Sequence, residues 1–145
     1  TKTNKKMNLW PGFCPTHVRI QPKDIVKLKQ DYPRAKVIVH PECKPEVIAL
    51  ADEVLSTSGI CRFVQRTEVK EIIVGTEIGI MHRLKKENPG KRFIPAFEQA
   101  TCPTMKLITL DRILWALEEM AYEVKVPEEI RLRAKAAVDK MLEVV

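Results

Sequence analysis

Residues 35–42 read Ala-Lys-Val-Ile-Val-His-Pro-Glu (AKVIVHPE), and the fold turns on them. Val37, Ile38 and Val39 run apolar without alternation, as a strand buried on both faces requires, and the run ends abruptly at His40, Pro41 and Glu42. Residues 70–77, KEIIVGTE, repeat that plan: an apolar run, a short linker and a glutamate. Residues 91–98, KRFIPAFE, give a third such run.

The segments between these runs carry helical spacing. PKDIVKLKQDYP (22–33) offers Ile25, Val26 and Leu28 among charges and stops at Pro33. PEVIALADEVL (45–55) places Pro45 in a first turn, with Val47, Ile48, Leu50, Ala51, Val54 and Leu55 as one apolar side. STSGICRFVQRT (56–67) begins with hydroxyls able to cap a helix, and GIMHRLKKENPG (79–90) closes on Asn88-Pro89-Gly90. Strand and helix alternate, so we expect an α/β fold: a three-layer αβα sandwich around a small parallel sheet of three strands. Past Cys102 the strands cease. TLDRILWALEEMAYEV (109–124) and PEEIRLRAKAAVDKMLEVV (127–145) read as two helices, a C-terminal helical tail.

Charge is a weaker guide. Twenty-five basic against 19 acidic residues leave a net +6, but both signs mix along the helices. A nucleic-acid surface segregates its charge and interleaves aromatics, so no nucleic-acid partner is expected. No apolar run approaches the ~20 residues that span a bilayer, and the basic start TKTNKKMNLW lacks the apolar core of a signal peptide. We expect a cytoplasmic protein without a membrane partner. The four cysteines have no close regular framework, which suits reduced thiols or metal ligands over disulfides.

Parallel sheets gather ligands beyond the carboxyl ends of their strands, and the polar residues fall there. His40 and Glu42 end the first strand, Thr76 and Glu77 the second, and Cys102 follows the third. His40 reads as a loop histidine or, with Glu42 beside it, as half of an acid-base pair. Ser56 and Thr57 read as helix caps whose hydroxyls and free N–H groups also suit a carboxylate or phosphate. Cys61 sits on an apolar helix face, and Cys43 in the loop after Glu42. Cys14 and Cys102 share the tripeptide Cys-Pro-Thr, a Cys-Pro step of the kind found beside iron–sulfur ligands. No C-x-x-C pair, the usual zinc spacing, is present.

The series WPGFCPTH, VIVHPE, STSG, VGTE and CPTMKLITL, in that order from Trp10 to Leu110, resembles quinolinate synthase. The resemblance implies three related αβα domains about a pseudo-threefold axis, each giving one cysteine to a 4Fe-4S cluster. It further implies that residues 1–14 end a preceding αβα domain, residues 15–102 form the next, and residues 103–145 are the tail. Cys14 and Cys102 become cluster ligands, and the third cysteine and the N-terminal domains lie outside this sequence. Cys43 and Cys61 are not expected to be ligands. The implied chemistry condenses iminoaspartate with dihydroxyacetone phosphate to quinolinate. His40 and Glu42 would bind substrate and move protons, and Ser56 and Thr57 would hold its acidic groups. The resemblance assigns no role to His17, Thr76, Glu77 or Lys106. The alternative is a stand-alone, non-catalytic αβα module with an anion pocket.

Overall fold

The computed structural model describes Lys6 and residues 11–143. Trp10 and most of the segment assigned above to a preceding domain lie outside the described residues. The chain divides into two compact units between Pro103 and Thr104.

The first unit is built on four parallel strands: β1 (Lys36–Val39), β2 (Glu53–Val54), β3 (Glu71–Gly75) and β4 (Arg92–Pro95), in the order β2-β1-β3-β4. Val37 faces Ile73 and Val39 faces Gly75 across the β1–β3 ladder, and Ile73 faces Ile94 across the next. Helices α1 (Pro22–Asp31), α2 (Pro45–Ile48), α3 (Thr57–Arg66) and α4 (Ile80–Glu87) fill the connections.

Two apolar layers sandwich the sheet. Val37, Val39, Ile73 and Ile94 point to one face, where they pack with Ile20, Ile25 and Val47 of the α1 and α2 side. Ile38, Ile72, Val74 and Phe93 point to the other, with Ile60, Cys61 and Val64 of α3 and Met81 and Leu84 of α4. Each strand is therefore apolar at successive positions because both of its faces are covered. Gly75 is required by this packing, since a Cβ there would lie 2.8 Å from Val39 Cγ1.

Two expectations are corrected. Residues 45–55 are not one helix: α2 stops at Ile48, and Glu53–Val54 pair with Ile38 and Val39 as a fourth strand. The cause is Asp52, which binds Val37 twice: its carboxylate accepts the Val37 N–H at 2.7 Å, and its own N–H donates to the Val37 carbonyl at 2.8 Å. A helix would forfeit both bonds and leave the β1 edge unpaired. Val26, read as part of the apolar side of α1, is 44% exposed, while Ile25 is fully buried.

The second unit holds α5 (Leu110–Glu118) and α6 (Glu128–Leu142). Thr109 caps α5 by accepting the Arg112 N–H, and Pro127 with two acidic residues starts α6. Among the described residues no helix is long and apolar enough to cross a membrane.

Candidate active site

The chain leaves β1 for β2 on one side and returns across it to β3 on the other, so the connections leaving the carboxyl ends of β1 and β3 run in opposite directions. Such a reversal opens a crevice in a parallel sheet. Here it is occupied by side chains from three segments.

His40 extends β1 by one rung, its N–H donating to the Gly75 carbonyl at 2.9 Å. The following turn closes when the Cys43 N–H reaches the His40 carbonyl at 3.0 Å, which throws Glu42 back over the strand end. Cys43 itself turns inward, 5% exposed, with its S–H donating to the Gly75 carbonyl at 3.4 Å. Burial raises its pKa to about 11, so it stays a thiol near neutrality.

The second segment is a 3-10 turn, His17–Arg19, directly after Cys14-Pro15-Thr16. It carries His17 over the crevice, where the imidazole is buried and stacks on His40 with ring centroids 4.5 Å apart. His17 Nε2 lies 2.9 Å from the Thr76 hydroxyl at the end of β3. On its other side, Nδ1 lies 3.0 Å from Glu42 Oε2, and His40 Nδ1 lies 3.7 Å from the same oxygen. Burial first, then the neighbouring His40 ring, hold the His17 pKa below its ordinary value, against the opposing pull of Glu42 and Glu77. The imidazole is thereby kept neutral at pH 7.

Cys14 Sγ, a His17 ring nitrogen and a Glu42 carboxylate oxygen all lie within 4.8 Å of one another. A cleft of about 750 Å³ opens beside them, lined by Phe13, Cys14, Val18, Glu42 and Lys44 among others.

The third segment follows β4. The Ile78 N–H donates to the Ala100 carbonyl at 2.8 Å, which folds the post-β4 loop across the end of β3. Glu77 then grips both sides, accepting the Gly79 N–H at 2.7 Å and the Cys102 N–H at 3.4 Å. Cys14 and Cys102 are both half-buried, whereas Cys61 is buried among the apolar residues under α3.

The residues singled out in the sequence thus line one sheet edge in the order of the strands: Ser56 after β2, His40 and Glu42 after β1, Thr76 and Glu77 after β3, Cys102 after β4. His40 and Glu42 meet Cys14 through His17. Ser56 stands one strand away and is committed to capping α3 through the Gly59 N–H at 3.3 Å, with Thr57 as that helix's first residue. His17, Thr76 and Glu77 stand at this edge although sequence reasoning gave them no role. The signal for His17 was available as the spacing Cys14-x-x-His17, a ligand spacing in its own right. For Thr76 the strand-end position was the signal, but its pairing with His17 had none, because only the fold sets it opposite a residue from a distant turn.

The family model described as Quinolinate synthetase A protein matches residues 1–143. A quinolinate synthase from Dehalococcoides mccartyi (strain CBDB1) is 60% identical over 144 residues, covering 99% of this chain and 48% of that protein. The quinolinate synthase of Thermodesulfovibrio yellowstonii is 54% identical over 138 residues, 95% of this chain and 46% of that protein. Quinolinate synthase 1 of Methanosarcina acetivorans is 46% identical over 144 residues, 99% and 47% respectively. The chain spans about half the length of the curated relatives it matches.

Proposed function

We propose, for a chain that belongs to the quinolinate synthetase A protein family, that it forms the carboxyl-terminal part of a cytoplasmic quinolinate synthase and condenses iminoaspartate with dihydroxyacetone phosphate when joined to the domains it lacks. The observation that carries this is the meeting of Cys14, His17, His40, Glu42 and Thr76 at the β1–β3 crevice, with Cys102 tied to the same edge by Glu77. In this reading residues 15–102 are one complete αβα domain, and residues 103–145 are its helical tail.

The donor set fits a 4Fe-4S cluster shared with the rest of the polypeptide. Cys14 and Cys102 are half-buried thiols on one sheet edge, each followed by proline. Cys43 is held inward on the Gly75 carbonyl and Cys61 is in the core, which supports a ligand set without them. Two thiolates would come from these residues and a third from the rest of the polypeptide. When bound, the cluster supplies a Lewis-acidic iron that polarises substrate oxygens.

Everything else falls to the protein's own side chains. Glu42, 55% exposed at the mouth of the cleft, is free to reach a ligand and return, and so to take a proton from substrate and pass it on. His40, stacked on His17, accepts the Glu42 N–H on Nδ1 at 3.3 Å and so fixes the backbone that carries the carboxylate, which leaves Nε2 as its proton-carrying nitrogen. The amino end of α3, where Ser56 accepts the Gly59 N–H and Thr57 begins the helix, would hold the carboxylates or phosphate of the substrates.

Glu42→Gln in the complete enzyme tests the assignment. The amide keeps shape and reach, so cluster content and substrate binding should hold while turnover per cluster falls by about 10²-fold or more. Near-normal turnover per cluster would remove Glu42 from the chemistry. A non-catalytic anion-binding module predicts instead that no variant of this edge alters product formation once the missing domains are restored.

A further inference from the structure

Cys14, His17 and Glu42 hold more than the cluster reading uses. One sulfur, one imidazole nitrogen and one carboxylate oxygen converge within 4.8 Å, a mixed set that suits a single first-row transition ion. A second, independent feature is the state of the histidine. His17 Nδ1 is fully buried and makes no aligned hydrogen bond, although Glu42 Oε2 is 3.0 Å away. The other nitrogen is engaged with the Thr76 hydroxyl at 2.9 Å. If Nε2 carries the proton and donates to Thr76, Nδ1 is left as a bare lone pair facing a carboxylate. In that tautomer a cation between the two atoms relieves their repulsion, whereas the other tautomer donates Nδ1–H to Glu42 and accepts the Thr76 hydroxyl on Nε2.

The geometry points to a mononuclear site for a divalent transition ion such as Zn²⁺ in the cluster-free chain, with Cys14, His17 and Glu42 as ligands and Thr76 as the hydroxyl that fixes the His17 tautomer. Donors on one tetrahedral ion stand about 3.3–3.7 Å apart, since metal–ligand bonds run about 2.0–2.3 Å. Separations within 4.8 Å, with Nδ1 and Oε2 at 3.0 Å, are brought to that range by small rotations of Cys14, which is half-buried, and Glu42, which is exposed. Three protein ligands leave the fourth position to water, as in open zinc sites. The Thr76 hydroxyl stands where a metal-bound imidazole usually has a carboxylate, carbonyl or water to accept its other N–H. This inference rests on geometry alone and not on the proposed reaction. Its consequence for that reaction is competition: the ion and the cluster both need Cys14, so occupancy by one excludes the other.

The test uses the chain stripped of metal by chelation, under anaerobic reducing conditions, with Co²⁺ as the spectroscopic probe and Zn²⁺ as competitor. We expect one equivalent of Co²⁺ with thiolate charge-transfer and tetrahedral ligand-field absorption, displaced by Zn²⁺. Cys14→Ser should abolish the charge-transfer band. His17→Gln and Glu42→Gln should each weaken binding at least 10- to 100-fold, and Thr76→Ala about 10-fold with the band retained. Cys102→Ser should leave binding unchanged. A wild-type affinity in His17→Gln, or loss of the band in Cys102→Ser, would overturn the site. Alkylation of the unaltered chain needs no variant to fold. One equivalent of Zn²⁺ should protect Cys14 from iodoacetamide and leave Cys102 reactive, and equal protection of both, or of neither, would refute the assignment.

Discussion

Residues 14–25 and 102–113 are two copies of one local plan set in opposite surroundings. In each, Cys-Pro-Thr leads into a three-residue 3-10 turn, His17–Arg19 or Met105–Leu107, entered from a threonine in the helical region. Each turn is closed by the same pair of bonds: Arg19 to Thr16 and Ile20 to His17 in the first copy, Leu107 to Thr104 and Ile108 to Met105 in the second. An extended isoleucine and a capping residue follow, then a helix, α1 or α5. The difference lies in burial. Ile20 and Ile25 are fully buried against the sheet, whereas Ile108 is 68% and Ile113 45% exposed. Turn, cap and helix are thus fixed within a dozen residues, while burial needs a sheet beneath the helix. β1 follows the first copy, and among the described residues no strand follows the second.

The sharpest break of this comparison is a matched pair of truncations. Ile25→Ala should cost the first unit about 2–5 kcal/mol, the range for removing a large aliphatic side chain from a packed core. Ile113→Ala, at the equivalent position, should change the stability of this chain by under about 0.5 kcal/mol. Denaturant melts of both, followed by the two tryptophans and by far-UV ellipticity, make the check. Equal losses would mean that α5 is as well covered as α1.

The same contrast explains what could be read from the sequence. Unbroken apolar runs such as Val37–Ile38–Val39 announce doubly covered strands, and the parallel sheet follows from their alternation with helices. β2 was missed because two residues carry no periodicity. Its existence depends on Asp52 meeting Val37, a contact between elements that no local window contains. At the site, His40, Glu42 and Cys14 were legible from strand ends and the repeated tripeptide. The partnership of His17 with Thr76 was not, because it joins a turn before the sheet to a strand end far along the chain. His17 also has no equivalent in the second copy, where Met105 occupies its place. The copies therefore share a backbone plan and differ in the one side chain that would make a cysteine-centred donor set.

A smaller effect sharpens the sheet side of the comparison. Gly75 stands opposite Val39, and any Cβ there meets Val39 Cγ1 at 2.8 Å. Gly75→Ala should cost about 1–3 kcal/mol through overpacking, despite the gain in strand propensity. The strain falls at the carboxyl ends of β1 and β3, where His40 and Cys43 hydrogen-bond to the Gly75 carbonyl. Alkylation of Cys43 should therefore accelerate in this variant relative to Cys61, which packs under α3. Unchanged stability and unchanged thiol protection would show that β1 and β3 can part without consequence.

The smallest expected effect separates the two caps. In the first copy the Gln21 N–H donates to the Asp24 carboxylate at 2.9 Å, and α1 is also pinned by the burial of Ile25. In the second, the Thr109 hydroxyl accepts the Arg112 N–H at 3.3 Å, and no residue of α5 is buried. A cap contributes about 1 kcal/mol in either setting, but it governs a larger fraction of the stability where packing adds little. Thr109→Ala should therefore fray the first turn of α5, raising amide exchange at Arg112 about fivefold, while the melting of the αβα sandwich stays put. Asp24→Ala should do the reverse: it should lower global stability by a few tenths to one kcal/mol and leave the first turn of α1 protected, because that turn opens only when its core does. Local exchange in both variants, or in neither, would erase the distinction between a helix held by its own end and one held by the sheet.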